Sequence, residues 1–241
     1  MKLTRMPDGS PEIFHTLQGE GRNTGKPSVF IRASLCNLHC RWCDTPYTWN
    51  WEDTPFEHES ERKYSRETEI LDLTAKDIAR EVSRFTCSHY VLTGGEPLLQ
   101  EKGWLELITL LPGSFEVETN GTLFPSETFL ANVNQINVSP KLAHAGMPEE
   151  KRINRDALSA FAELEMADWK FVIENRSEYE ELKQLIDDIG IAADRVFLMP
   201  KASTVEELNQ RQNWVADLAR EQGFRYSDRL HLRLHGAKRG T

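Results

Sequence analysis

Apolar positions along the chain gather into six short β-rich runs separated by stretches of helical period. The runs are SVFIRAS at 28–34, HYVLT at 89–93, FEVE at 115–118, QINVS at 135–139, DWKFVI at 168–173 and RVFLM at 195–199. Their length and their β-branched and aromatic content predict strands, and apolar residues recur at helical spacing between most of them. Three helix starts have the spacing in which a hydroxyl caps the first turn and an acid three residues on returns the contact: Thr74 with Asp77, Ser177 with Glu180 and Thr204 with Glu207. Strand and helix in alternation predict an α/β fold around a mainly parallel sheet, open or closed into a barrel.

Parallel sheets collect their chemistry at the carboxyl ends of the strands. There the sequence places a cysteine cluster after the first run, Gly94-Gly95-Glu96-Pro97 after the second and Thr119-Asn120-Gly121 after the third. Pro140-Lys141 follows the fourth run and Pro200-Lys201 the last. The charged stretch at about 48–72 lacks apolar periodicity and reads as an inserted surface loop, and Arg229 to His235 alternates like a half-buried edge strand. No repeat or linker divides the chain, so residues 1–241 are expected to form one domain.

A formal net charge of −9 is far from the basic profile of a nucleic-acid binder. The opening MKLTRMPDGSPEIF lacks the apolar core of a signal peptide, and no stretch approaches the roughly 20 apolar residues of a membrane span. A cytoplasmic protein is expected.

Of four cysteines, Cys36, Cys40 and Cys43 lie close together in CNLHCRWCDT, with Trp42 just before the last, whereas Cys87 ends a helical pattern and reads as a small hydrophobe. A closed zinc site usually shows four ligands, often as two pairs, and no second pair exists. Three thiolates can hold a 4Fe-4S cluster by three irons and leave the fourth open to an outside ligand.

The triplet with its aromatic residue, together with Gly94-Gly95-Glu96-Pro97, resembles the radical S-adenosylmethionine superfamily. The resemblance implies a partial, modified TIM-like barrel, on which about six strands fit. It also implies that the open iron binds S-adenosylmethionine, whose reductive cleavage gives a 5'-deoxyadenosyl radical. The glycines would let the backbone approach the methionine amine and Glu96 would complement its charge. Upstream, Ile13 to Gly21 (IFHTLQGEG), with Phe30-Ile31-Arg32 and with Asp44-Thr45 after the third cysteine, closely resembles the 7-carboxy-7-deazaguanine synthase family. That family carries out a radical ring contraction of 6-carboxy-5,6,7,8-tetrahydropterin with loss of ammonia, as a carbon-nitrogen lyase in queuosine-type 7-deazapurine biosynthesis.

Carried over residue by residue, the resemblance implies cluster ligands Cys36, Cys40 and Cys43, and Thr45 as an oxygen ligand of Mg2+. S-adenosylmethionine would contact Trp42, Cys43, Asp44, Gly95, Ser139, Pro140, Lys141, Met199, Pro200, Lys201 and Ala202. The pterin would meet Leu17, Gln18, Gly19, Arg32, Thr93, Glu118, His235 and Thr241, with Arg32 on its carboxylate. A homodimer and an electron donor such as flavodoxin or ferredoxin are also implied. His15, His39 and His89 have no partner legible in the sequence. Two rivals are an activase of a glycyl-radical enzyme, opposed by the QGEG run and Thr45, and a non-catalytic zinc or iron scaffold.

Overall fold

The computed structural model describes residues 1–241, which form one ten-stranded sheet. In chain order the strands are β1 (Lys2–Thr4), β2 (Ile13–Leu17), β3 (Pro27–Ala33), β4 (Ile70–Asp72), β5 (His89–Gly94), β6 (Ser114–Thr119), β7 (Gln135–Val138), β8 (Ala167–Ile173), β9 (Val196–Pro200) and β10 (Arg225–Tyr226). Across the sheet the order is β10-β9-β8-β7-β6-β5-β3-β1-β4, with β2 paired to β3 beside this path. Every pairing from β3 to β10 is parallel, whereas β1, β2 and β4 join antiparallel. The end strands β10 and β4 do not meet, so the sheet is an open, partial barrel. All six expected strands are present to within one residue at each end.

Side chains alternate between two unlike faces. One face presents Val29 and Ile31 of β3, Leu92 of β5, Val117 of β6, Val138 of β7, Trp169 and Phe171 of β8 and Leu198 of β9 to a single apolar core. Helices spanning Ala75–Val82, Glu101–Ile108, Arg155–Ala162, Tyr179–Ile189 and Val205–Gln222 close that core with Ile78, Trp104, Leu107, Phe161, Leu182, Leu185 and Val215. The other face is polar, and His89, Glu116, Gln135, Asn137, Asp168 and Lys170 are nevertheless all buried. A buried polar face needs hydrogen-bond partners. They come from the loop after β2, which crosses this face: Gln18 donates to Glu116 at 2.8 Å, Asn23 to Glu116 at 2.7 Å, and Arg22 to both oxygens of Asp168 at 2.6 Å. Gly21 N then reaches Ser227 beyond β10, so the loop spans the gap between the ends of the open sheet.

The capping expectations divide. Thr74 and Asp77 form the full reciprocal box, and Thr204 accepts from Glu207 N at 3.2 Å, although the Glu207 carboxylate takes Ser203 N instead. Ser177 caps nothing: it lies inside a 3-10 turn, Arg176–Glu178, which Glu178 closes by accepting from Glu174 N at 2.8 Å.

Two other expectations are corrected. The stretch 48–72 is a surface loop only in its middle, because Thr48, Trp49, Asn50 and Trp51 are buried and Ile70–Asp72 is strand β4 on β1. Its middle is organised by Lys63, which donates to Asn50 Oδ1 at 2.9 Å and to Thr54 O at 2.9 Å. Residues 230–235 are helical rather than extended, since Leu230 N docks on Gly19 O at 3.0 Å and turns Arg229 and His231 toward Glu20. Cys87 packs against the core as expected of a small hydrophobe.

Trp49 is 2% exposed and meets His39 and Phe56 edge-on. Trp49→Ala is expected to cost about 3–5 kcal/mol in denaturant unfolding; a loss under about 0.5 kcal/mol, the range of an ordinary surface change, would show that the stretch is peripheral.

Candidate active site

The cysteine loop leaves β3 through Leu35, which takes a positive φ of 76°. It is held from beneath by the glycine pair: Gly95 N donates to Ala33 O at 3.1 Å and Glu96 N to Leu35 O at 2.9 Å. A Cβ on Gly94 would lie 2.1 Å from Ala33 O, and one on Gly95 would lie 2.1 Å from Leu35 O and 2.9 Å from Cys36 Cβ. No side chain fits in that approach. Glu96 is fully buried and accepts from Leu98 N (3.0 Å), Thr119 Oγ1 (2.9 Å) and Asn120 N (2.7 Å), and burial pushes its carboxyl up to about 6. It does not line the cavity, so the expectation that it faces a bound amine gives way to a structural one: Glu96 ties the GGEP run to the Thr119-Asn120-Gly121 turn. Asn120 in turn donates to Asn37 of the cysteine loop at 2.9 Å.

On the other side the loop is covered by the 48–64 stretch. His39 stacks on Phe56, His58 Nε2 lies 2.8 Å from Cys43 O, and Glu59 N donates to Arg41 O at 2.8 Å. All three thiols are free and border one cavity, yet no group of three His, Cys, Asp or Glu side chains converges closely enough to hold a single ion. Burial pushes Cys36 well above the usual thiol value, Cys40 up to about 12, and Cys43 upward. Bound iron would offset that cost by binding the thiolates. Trp42 stacks on His144 at 5.1 Å between ring centres, leaving its Nε1 buried without a partner, and Lys141 lies 5.8 Å from its ring and donates to Ser139 Oγ at 2.8 Å.

The cavity is also bordered by Arg32, Thr93 and Glu118 of the strands, with Gln18, Gly19, Glu20, Lys170, Arg229, His231 and Thr241. Thr93 donates to Glu118 at 2.7 Å. Arg32 Nε donates to Glu12 at 2.8 Å, and its two terminal nitrogens have no protein partner. Glu20 is gripped by Lys170 at 2.5 Å and by Arg229 at 3.2 Å, and Arg229 also binds Asp44 and the Ala202 carbonyl. Burial alone would push the Glu20 carboxyl up, but Lys170 and Arg229 hold it far below its ordinary 4.5.

The family profile described as the Radical SAM superfamily matches residues 31–155, a segment that includes the cysteine loop and GGEP. The 7-carboxy-7-deazaguanine synthase of Pyrobaculum aerophilum is 37% identical over 232 residues, covering 95% of both chains. The chain belongs to the 7-carboxy-7-deazaguanine synthase family. The relative of the same description in Rhodopirellula baltica is 35% identical and covers 95% of this chain and 87% of its own. The crystal structure of QueE from Escherichia coli matches with a TM-score of 0.65 at 26% identity, over 96% of this chain and 95% of that one. Membership brings the superfamily's 4Fe-4S cluster and S-adenosylmethionine, and the three free thiols, buried at Cys40 and half-buried at Cys36 and Cys43, fit the cluster. No helix is long and apolar enough to cross a membrane.

Most residues singled out from sequence meet at this cavity: the three cysteines, Trp42, Asp44, Thr45, Gly95, Ser139, Lys141, Met199, Lys201, Ala202, Leu17, Gln18, Gly19, Arg32, Thr93, Glu118 and Thr241. Pro140 and Pro200 do not border it, and His235 is exposed at the last position of its helix, one turn beyond His231, which borders the cavity instead. Gln18 borders the cavity but spends its groups within the protein: N on Lys26 O, O on Gly25 N, Nε2 on Glu116 and Oε1 on Glu20 N. His89 does have partners, Glu116 at 3.0 Å and Ser114 at 2.8 Å. Sequence reading passed over Glu20, Lys170 and Arg229. The signal was available for Lys170, because charged residues at alternate positions of an apolar strand, as in ADWKFVI, share the polar face.

Because Glu20 is held low, its contribution to stability is complete above about pH 4.5, the ordinary value, and is lost as pH falls toward its folded-state value. Glu20→Gln is therefore expected to lower stability by about 3–5 kcal/mol at pH 7, leaving the buried Lys170 without its ion-pair partner and Arg229 with Asp44 alone. Thermal unfolding of both proteins should show the difference shrinking below pH 4.5; a difference constant with pH would refute the pairing.

Proposed function

We infer that this chain converts 6-carboxy-5,6,7,8-tetrahydropterin to 7-carboxy-7-deazaguanine with release of ammonia. The observation that carries the reading is one cavity bordered both by three unpaired thiols and by a guanidinium with two free nitrogens. Cys36, Cys40 and Cys43 would hold the cluster. When bound, the cluster and S-adenosylmethionine supply the one-electron cleavage that removes a hydrogen atom from the substrate.

The protein's own share is binding, orientation and exclusion of water. Arg32 takes the substrate carboxylate with its terminal nitrogens as a fork. Glu118, steadied by Thr93, accepts from the amino-pyrimidine edge, while Leu17 and Gly19 border it. Because Gln18 is satisfied internally, its role is to fix Glu118, toward which its amide points at 3.4 Å. Ser139 and Lys141 serve the amino-acid tail of S-adenosylmethionine, Trp42, Asp44 and Gly95 its sulfonium end, and Met199, Lys201 and Ala202 its adenine. Thr241 closes the substrate side. Pro140 and Pro200 shape strand ends.

Thr45 supplies an oxygen to Mg2+, supported by a hydroxyl whose only side-chain neighbour is the Cys43 sulfur at 3.6 Å. The ion would anchor substrate oxygens, with water filling its remaining positions. A homodimer and an external electron donor such as flavodoxin or ferredoxin complete the reading. An activase of a glycyl-radical enzyme is not favoured, since full-length relatives share the synthase description.

Reconstituted without oxygen and supplied with S-adenosylmethionine, reductant and the carboxypterin, the protein should release the deazaguanine acid, identified by mass spectrometry. Cys40→Ala should abolish turnover. Thr45→Ala should lose most of the stimulation by Mg2+ while still loading iron; undiminished stimulation would remove the metal from Thr45.

A further inference from the structure

Glu12 stands just before β2, is 1% exposed, and receives two arginines from opposite sides. Its Oε1 accepts from Arg32 Nε at 2.8 Å and from the Tyr47 hydroxyl at 3.1 Å. Its Oε2 accepts from Arg239 Nε at 2.8 Å and from Thr4 Oγ1 at 2.9 Å. Arg32 borders the cavity. Arg239 does not; it belongs to residues 236–241, a strap that follows the last helix and brings Thr241 to the same cavity. The strap is fixed almost entirely through Arg239, which also donates to Glu69 at 3.0 Å and to Arg5 O at 2.7 Å and lies 3.6 Å from the Tyr47 ring centre.

This arrangement has an electrostatic consequence. With the strap in place, Arg32 and Arg239 share Glu12 while Glu69 takes another branch of Arg239, so Glu12 offsets only part of the positive charge that Arg32 presents to the cavity. With the strap lifted, Arg32 and Glu12 form a neutral pair, and the field at the free Arg32 nitrogens falls. At separations of a few ångströms in a partly desolvated site, one charge more or less changes anion binding strongly. Asp44, the other acid acting on Arg32, is already matched by Arg229. Tyr47 and Thr4 are neutral donors and hold the Glu12 oxygens in place without changing the balance.

We propose that Arg239 and Glu12 are positioning residues that set the charge Arg32 presents to the substrate, so that docking of the 236–241 strap and capture of the substrate carboxylate reinforce one another. Coupling of this kind is reciprocal: a bound carboxylate holds the strap down as much as the strap favours the carboxylate. The proposal rests on the reading that Arg32 binds the carboxylate of the pterin, and it assigns the strap a part in affinity that no contact of Arg239 with substrate supplies.

The test uses the reconstituted enzyme with S-adenosylmethionine and reductant, and reads KM and kcat for the carboxypterin. Arg239→Gln should raise KM about tenfold with a much smaller change in kcat. Arg239→Lys, which keeps the charge but not the fork, should recover most of that loss. Adding Glu12→Gln to Arg239→Gln removes the anion that Arg239 offsets, and should bring KM back toward the parent value. If the double variant is as impaired as Arg239→Gln or worse, or if lysine is no better than glutamine, the strap is only an anchor and the proposal fails. Thermal midpoints of every variant separate misfolding from these effects. A second readout is independent of turnover: amide hydrogen exchange over 236–241 should slow when carboxypterin is added to the parent protein and not when it is added to Arg239→Gln. Equal slowing in both would overturn the coupling. Arg32→Gln tests the underlying reading separately, since an unchanged KM there would remove the carboxylate from Arg32 whatever Arg239 does.

Discussion

The structure depends on one constraint: a parallel sheet that carries charge on a buried face must find a partner for every charge. Glu116, Asp168, Lys170 and Glu12 cannot stay buried unmatched without a cost of several kcal/mol each. The loop after β2 answers this with Gln18, Glu20, Arg22 and Asn23, and the segment after β10 answers it with Arg229 and Arg239. Matching these charges is what draws the two ends of an open sheet together around a cavity. The walls of that cavity are therefore made by the interactions that hold the fold.

A second, steric requirement fixes the chemistry to that cavity. The backbone at Gly94 and Gly95 lies so close to the strand end and to Cys36 that no side chain could stand there, and Glu96 clamps the same run to the next strand turn. The glycines thereby serve the placement of the cysteine loop as directly as any approach to a ligand. Thiols on a sterically fixed loop and charge-fixed polar groups around one cavity give a site whose geometry is set before anything binds, as catalysis by positioning requires.

Much of this was legible in the chain. The six strands follow from apolar runs of the right length, and the residues after them converge because parallel strands all end on the same side. The cysteine spacing, GGEP and LQGEG carried the family. Less legible were elements whose form depends on distant partners. The leucines of 230–235 alternate as a strand would, yet Gly19 O and Glu20 turn them into helix. The 48–72 stretch is polar enough to read as a loop, yet Trp49 buries against His39 of the cysteine loop, Trp51 is buried too, and Ile70–Asp72 extends the sheet. Ser177 and Glu180 have capping spacing, but Glu178 closes the turn first.

The sequence by itself determined the strand and helix alternation, the cysteine spacing and the family, because periodicity and motif spacing are local properties of the chain. Only the tertiary structure decided what Glu96, Gln18, Arg229 and Arg239 do. Each is a single polar residue whose role depends on which buried polar or charged groups lie opposite, and those groups are mostly tens to hundreds of residues away. Which histidine borders the cavity, His231 rather than His235, was decided in the same way: by the docking of the first turn of a short helix on Gly19 and Glu20, which leaves its last residue exposed.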